Sequence, residues 1–363
     1  MSHIAIDARI INSSTGRYIE RLLHYLQQVD KVNNYSILVL KKDLEYWKPT
    51  NPNFELIEAD FKQYSLEEQL GLNKLLNQLS PDLVHFCMPQ QPVLYKGNHV
   101  TTFHDMTLIN FVMPDKNWLI YRFKQFVGGF VFKKVARTSS YIICPSENTK
   151  KELLEFVNIP EDKIKITYEA ADIIPVAPHA YQTGFDKYIL YVGQQADYKN
   201  IKKLGTAHQR LIKKYPDLGL VLVGKKDETA LINEKYFNDR EYKNITFTGF
   251  VSDEELSWLY SNAEAYIFPS LAEGFGLPGL EAMNYKTPVV AGNMSCLPEI
   301  YGDAAHYFNP LDVTDIAKSI DEVLSDDKLR KKLLKNADAQ LKKYSWHKMA
   351  KETHEIYLKA LEK

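Results

Sequence analysis

The stretch PSLAEGFGLPGLEAMNYKTP, residues 269–288, decides how the chain is read. Two carboxylates, Glu273 and Glu281, bracket a loop holding Gly274, Gly276 and Gly279, with Phe275, Leu277 and Pro278 between them. Pro278 suits the first position of a helix, where its missing N–H costs nothing and its fixed φ is already helical. The pattern predicts a short helix from Pro278 through Ala282 and Met283, ended by residues 285–288. Glu273 then precedes the loop, Glu281 falls in the first helical turn, and the two do not share a helical face. Between them lies a helix N-terminus with free N–H groups and a positive dipole end, a seat for a phosphate or a sugar hydroxyl. A strand–loop–helix joint with two solvated glutamates would look the same locally, so the rest of the chain must decide.

At 363 residues the chain is longer than one ordinary core, and two domains are expected. Hydrophobic residues at 45% and charged ones at 25% describe a globular chain and exclude a disordered one. Basic and acidic side chains balance, 20 against 20 over residues 1–175 and 25 against 26 over 176–363. Neither half carries the positive excess of a nucleic-acid binder, so no nucleic-acid partner is expected. Cys87, Cys144 and Cys296 are odd in number and widely spaced, which gives neither a disulfide framework nor a zinc pattern. The opening MSHIAIDARI has no basic segment followed by a long apolar one, and no apolar run approaches the ~20 residues needed to span a bilayer. A cytoplasmic location is expected, with the inner face of a membrane still open.

In the first half, short apolar runs at 3–7, 36–40, 54–58, 83–87, 99–103 and 141–144 alternate with helical patterns at 19–28 and 66–79. Such alternation argues for a parallel, doubly wound α/β sheet, whose ligands sit at the carboxyl ends of the strands. Three segments fall there. Residues 13–18, SSTGRY, join the first strand to the first helix, and Gly16 permits a close backbone approach beside Arg17. His104 and Asp105 end another strand; Asp105 is the weaker candidate, since it can simply orient the loop. Ser146 follows a third strand, and a plain helix cap accounts for it. Residues 116–137, KNWLIYRFKQFVGGFVFKKVAR, carry six basic side chains, no acid and interleaved aromatics. Packing of the aromatics on the sheet is the preferred reading, and peripheral contact with an anionic membrane face is the second.

Residues 170–187 contain two prolines and a glycine without a clear period and read as a linker. The alternation then restarts, with strands expected at 188–193, 219–224, 244–249, 265–269, 288–291 and 305–309. Gln194 and Lys199 follow the first of these; Lys199 stands just before a helix, where a phosphate would also meet N–H groups. Val251 and Ser252 follow the third, with Ser252 a candidate helix cap. Residues 326–343 read as a charged, solvated helix, and Ser345 opens a terminal one.

The string E-G-F-G-L-P-x-L-E-A-M followed by T-P-V-V resembles the E-x7-E signature of the family-four retaining glycosyltransferases, of which a mannosyltransferase-like subgroup is one option. The resemblance runs from Asp7 to Trp346. Residues 13–18 look like the family's G-x-G-R-Y loop, with Ser14 at its first glycine. His104-Asp105 looks like its H-D, Ser146 like part of its V-S-x-x-T/S segment, and residues 247–252 like its nucleobase loop. Residues 292–299 resemble S-x-L-P-E. Residues 193–200 resemble G-R-x4-K-N, where Lys199 matches but Gln194 replaces the arginine.

The resemblance implies a GT-B fold: two Rossmann-like domains facing each other across a cleft, residues 1–172 on the acceptor side and 173–345 binding the donor, with residues 346–363 a helix crossing back to the first. It implies a retaining, metal-independent transfer of a hexose from a nucleotide-diphosphate sugar to a hydroxyl of a glycan or lipid-linked saccharide, with no cofactor. His104 would sit near the sugar and diphosphate, and Lys199 would meet the phosphates with help from the Gly16 loop, Gln194 and Arg17. Glu273 and the backbone N–H groups of Phe275, Gly276 and Leu277 would hold sugar hydroxyls. Glu281 would take the ribose, and the backbone at Val251 the base. Two other readings stay open: a nucleotide-sugar epimerase of the same fold, and a catalytically weak nucleotide-sugar-binding protein, motivated by Gln194.

Overall fold

The computed structural model describes residues 1–13, 15–111 and 118–362, with the helix backbone alone over 118–124. Ser14, the departure from the G-loop pattern, and the start of the 116–137 segment therefore lie outside the described residues. The chain forms two compact units, residues 1–169 with 345–363, and residues 170–344.

The first unit is built on seven strands: β1 (His3–Asp7), β2 (Asn34–Val39), β3 (Phe54–Glu58), β4 (Leu83–Phe86), β5 (His99–Thr102), β6 (Tyr141–Cys144) and β7 (Ile164–Ile166). All pair in parallel in the order β3-β2-β1-β4-β5-β6-β7. β4 and β5 are buried at every residue. Covered on both faces, they read as near-continuous apolar runs, which is why the sequence exposes them. The order reverses direction between β1 and β4, so the loops leaving these strands and β5 border the crevice where doubly wound sheets take ligands. The three-residue β7 escapes notice in the sequence because IKI is too short to show a period.

The helix Gly16–Val29 buries Tyr18, Ile19, Leu22, Leu23 and Leu26, one apolar stripe at helical spacing. The last helix, Trp346–Leu361, belongs to this unit. Its N-cap is Ser345, whose side chain accepts from the Lys348 N–H, and it buries Met349, Ala350, Ile356, Tyr357 and Ala360. Burial of each large apolar side chain contributes ~1.5–3 kcal/mol. Polar ties fix its register: Tyr357 Oη lies 2.6 Å from His85 Nδ1, Asn98 Nδ2 donates to the Ala360 carbonyl at 2.7 Å, and His354 Nε2 lies 3.0 Å from Asp30 Oδ2. The single helix expected over 66–79 is instead two pieces, a π-helical turn at Glu68–Leu72 and an α-helix at Asn73–Leu79. The extra residue per turn accompanies a fully buried Glu68, which takes a salt bridge from Arg9 at 2.9 Å.

The second unit repeats the plan with β8 (Lys187–Val192), β9 (Leu218–Val223), β10 (Ile245–Gly249), β11 (Ala265–Phe268), β12 (Val289–Gly292) and β13 (Ala305–Phe308). The order is β10-β9-β8-β11-β12-β13, all parallel, with the reversal between β8 and β11. The stretch before β8 is not a loose tether: the Ile174 N–H donates to Tyr285 Oη, Asn284 donates to the Ala171 carbonyl and the His179 N–H to that of Glu254.

Candidate functional site

In the second unit, the loops leaving the two central strands carry opposite charges into contact. Lys199, after β8, places Nζ 2.6 Å from Oε1 of Glu273, after β11. Both side chains are mostly covered, at 13% and 12% exposure. Burial alone would lower the Lys199 pKa, but the Glu273 carboxylate outweighs it and holds the ammonium well above the usual lysine range. The ammonium also lies over the rings of Tyr198 and Phe268 at 5.1 and 5.6 Å.

Neighbouring groups fix both loops. Asn200 takes a left-handed conformation at φ 63° and sends Nδ2 to the carbonyls of Pro310 (2.7 Å) and Pro269 (3.2 Å). The Leu271 N–H donates to the Tyr198 carbonyl at 2.8 Å, joining the lysine loop to the glutamate loop. Ser295 clamps Glu273 from the far side: its Oγ accepts the Glu273 N–H at 2.9 Å and donates to the Glu273 carbonyl at 2.7 Å. The sequence reading matched residues 292–299 to S-x-L-P-E and gave Ser295 no role, although the serine stands in that segment.

The helix after the glycine loop spans Leu277–Asn284, with Gly276 as N-cap at φ 87° and Pro278 in its first turn. Glu281 therefore lies in the second turn, not the first as expected, because the left-handed Gly276 ends the loop just before Leu277. The Glu281 side chain is buried and accepts a hydrogen bond from Tyr260 Oη at 2.9 Å. The glycines have a packing cause: a Cβ at Gly279 would lie 2.3 Å from Tyr301 Oη and one at Gly276 2.7 Å from it. Tyr301 donates in turn to the Gly276 carbonyl. Phe275 is buried and meets Tyr344 edge to face. Gln194 is exposed, and its carbonyl accepts from Tyr191 Oη. Val251 is buried beside an exposed Phe250, and Ser252 caps the next helix through a capping box with Glu255. The aromatic at 250 was not singled out in the sequence.

In the first unit, His104 follows β5. Its Nε2 lies 2.9 Å from the Cys87 carbonyl, its Nδ1 faces Glu169 Oε1 at 3.5 Å, and its ring meets Tyr18 edge to face at 4.8 Å. Glu169 went unnoticed in the sequence, 65 positions away and just before the stretch read as a linker. Asp105 Oδ1 accepts the Thr107 N–H at 2.8 Å and so shapes the turn. Ser146 is buried and caps the helix Glu147–Phe156 through the Thr149 N–H. Gly16 starts the first helix, and a Cβ there would fall 1.7 Å from the Ile11 carbonyl oxygen. The close approach it permits is by its own chain. Arg17 is exposed at the same helix end.

Part of the 116–137 reading changes. Phe132 packs in the core, but Phe126 and Phe130 are 75% and 61% exposed, because the helix Trp118–Thr138 turns that face outward. Among the described residues no helix is long and apolar enough to cross a membrane.

Two parallel, doubly wound α/β units are what the resemblance to the GT-B glycosyltransferases implies. Residues 16–173 match the model for Glycosyltransferase Family 4, and residues 182–340 the model for Glycosyl transferases group 1. The chain is 33% identical over 275 residues to the O-antigen chain mannosyltransferase B of Escherichia coli, covering 71% of this chain and 69% of that protein. Its fold matches the sucrose-phosphate synthase of Thermosynechococcus elongatus at a TM-score of 0.79 with 18% identity, over 99% of both chains. It also matches Anabaena Alr3699/HepE in complex with UDP and glucose at a TM-score of 0.74 with 14% identity, over 99% of this chain and 100% of that one. The chain belongs to the family-4-type glycosyltransferases.

Proposed function

We propose that this glycosyltransferase is a retaining, metal-independent hexosyltransferase that takes mannose from a nucleoside-diphosphate sugar and adds it to a hydroxyl of a growing surface glycan or its lipid-linked precursor. The observation that carries this reading is the Lys199–Glu273 pair at the ends of β8 and β11, beside the N-terminus of the Leu277–Asn284 helix. One cation suits a diphosphate, one carboxylate suits sugar hydroxyls, and the helix end supplies N–H donors. The leaving diphosphate gathers charge as the glycosidic bond breaks, so a fixed ammonium there lowers the barrier. Glu281 is assigned to the ribose, the backbone at Val251 to the base, and His104 to the donor sugar, as the family resemblance implies. The choice of mannose and of a polysaccharide acceptor follows the name of the Escherichia coli relative. The nucleotide-sugar donor is supported by the UDP and glucose of the Anabaena structure.

The test is incubation of the purified protein with UDP-, GDP- and ADP-hexoses and a panel of mannosides and lipid-linked saccharides, with the anomeric configuration of the product read by proton NMR. Transfer with retention, unaffected by EDTA, is expected. An inverted product, or activity abolished by EDTA and restored by a divalent metal, would overturn those parts of the proposal. Binding of the donor without transfer to any acceptor or to water would favour a binding protein, the reading that Gln194 motivates. Work at the inner face of a membrane is part of the same proposal. It is supported by exposed Phe126, Val127 and Phe130 beside exposed Lys133, Lys134 and Arg137 on one helix. Flotation with anionic but not neutral vesicles is the expected result.

A further inference from the structure

The imidazole of His104 is held between two acceptors. On one side, Nε2 lies 2.9 Å from the Cys87 carbonyl oxygen. A carbonyl only accepts, so Nε2 carries a hydrogen. On the other side, Nδ1 faces Oε1 of Glu169 at 3.5 Å, a separation set by charge rather than by a strong hydrogen bond. Glu169 is buried and makes no other ion pair among the described residues. His104 keeps 16% of its side chain exposed against 7% for Glu169, so a ligand can meet the ring while the carboxylate stays covered. The ring is further fixed by the edge contact with Tyr18, whose hydroxyl lies 3.1 Å from Thr102 Oγ1. A neutral ring with its hydrogen on Nε2 would turn a lone pair toward a buried carboxylate. A ring with hydrogens on both nitrogens donates to the Cys87 carbonyl and turns a positive edge toward the Glu169 carboxylate.

We infer that Glu169 is a positioning residue, which holds His104 with both ring nitrogens protonated so that it presents a fixed positive edge to the donor. The inference rests on the assignment of His104 to the donor sugar and diphosphate. It adds to that assignment a charge, and a second residue that maintains it. The carboxylate touches no substrate and acts through the ring alone.

The test compares the wild type with Glu169→Gln and Glu169→Asp. Ring nitrogens of 15N-histidine-labelled protein are observed by NMR at pH 7.5, with His104 assigned by the signal lost in His104→Gln. Expected are two protonated nitrogens in the wild type and Glu169→Asp, and an unprotonated Nδ1 in Glu169→Gln. In steady-state assays Glu169→Gln should lower kcat about tenfold with the donor KM within about twofold, and Glu169→Asp should restore most of it. An unprotonated Nδ1 in the wild type, or the same spectrum in Glu169→Gln, would overturn the inference. So would a loss of kcat that follows a fall in Tm with the ring signals unchanged, since that marks a structural role. The spectra need no donor: a wild type that transfers no sugar would overturn the functional assignment while the ring signals still decide the pair.

Discussion

Lys199 Nζ and Glu273 Oε1 stand 2.6 Å apart, so the cation proposed for the diphosphate and the carboxylate proposed for the sugar form one neutral pair. A donor that draws on both must share or replace that bond. Glu273→Gln should therefore bind a nucleoside diphosphate about as tightly as the wild type or tighter, because Lys199 is no longer neutralised, while turnover falls tenfold or more. Lys199→Ala should lose both binding and turnover, a charge-assisted contact being worth ~1.5–3 kcal/mol. Calorimetry with the diphosphate alone separates the two, and equal losses of affinity would refute the shared-bond account.

The same pair sets a pH expectation. The folded pKa of Lys199 lies above the usual lysine value of 10.5. The stability it contributes is full below that value and is lost only as pH climbs through the higher folded one. Loss of activity between pH 8 and 10 must then persist in Lys199→Arg; a limb that moves with this substitution would contradict the assignment.

Glu281→Ala should weaken nucleotide binding about tenfold or more, whereas Tyr260→Phe, which removes one hydrogen bond to Glu281, should cost less. Affinity for the free nucleoside diphosphate is the measurement. An unchanged Kd in Glu281→Ala would remove the ribose assignment.

Ser295 stands at φ 58°, which glycine adopts without strain. Ser295→Gly thus deletes the two hydrogen bonds to the Glu273 backbone without a new steric cost, at about 0.5–1.5 kcal/mol each. The expected result is a several-fold lower kcat at nearly constant nucleotide affinity. A variant with wild-type kcat would show that the clamp does not position Glu273.

Asp30 ties the last helix to the first unit. Burial alone would raise its pKa, but hydrogen bonds from Tyr35 Oη, the Val32 N–H and Asn33 bring it down to about 2 from the usual 3.8. A depressed carboxylate stabilises the fold above its unfolded value, and the gain is lost as pH falls from about 3.8 to about 2. Asp30→Asn should melt below the wild type at pH 7, and the gap should close over that window. Scanning calorimetry across pH 2–7 checks it.

Much of the fold was legible because parallel strands covered on both faces must be apolar throughout, and runs such as LVHF and AYIF sit between helical periods. What escaped was short or cooperative. β7 has three residues, and the π turn answers to a buried Glu68 whose partner Arg9 is far away in the chain. Lys199 and Glu273 could be named from the sequence, yet their direct pairing could not, because it depends on loops fixed by Asn200 and Ser295. Glu169 had no local signal at all. Its role comes from a histidine that only the folded first unit brings near.

The last helix belongs to the first unit, so that unit is discontinuous in the chain. A ribosome therefore extrudes the entire second unit before the segment carrying Trp346, Met349 and Tyr357 emerges. Until then the partners of that segment, Tyr25, Asp30, His85 and Asn98 among them, belong to a nascent body with one side open. The first unit begins first and finishes last. Truncation of residues 346–363 should thus appear as aggregation during synthesis, with damage to the portion made earliest.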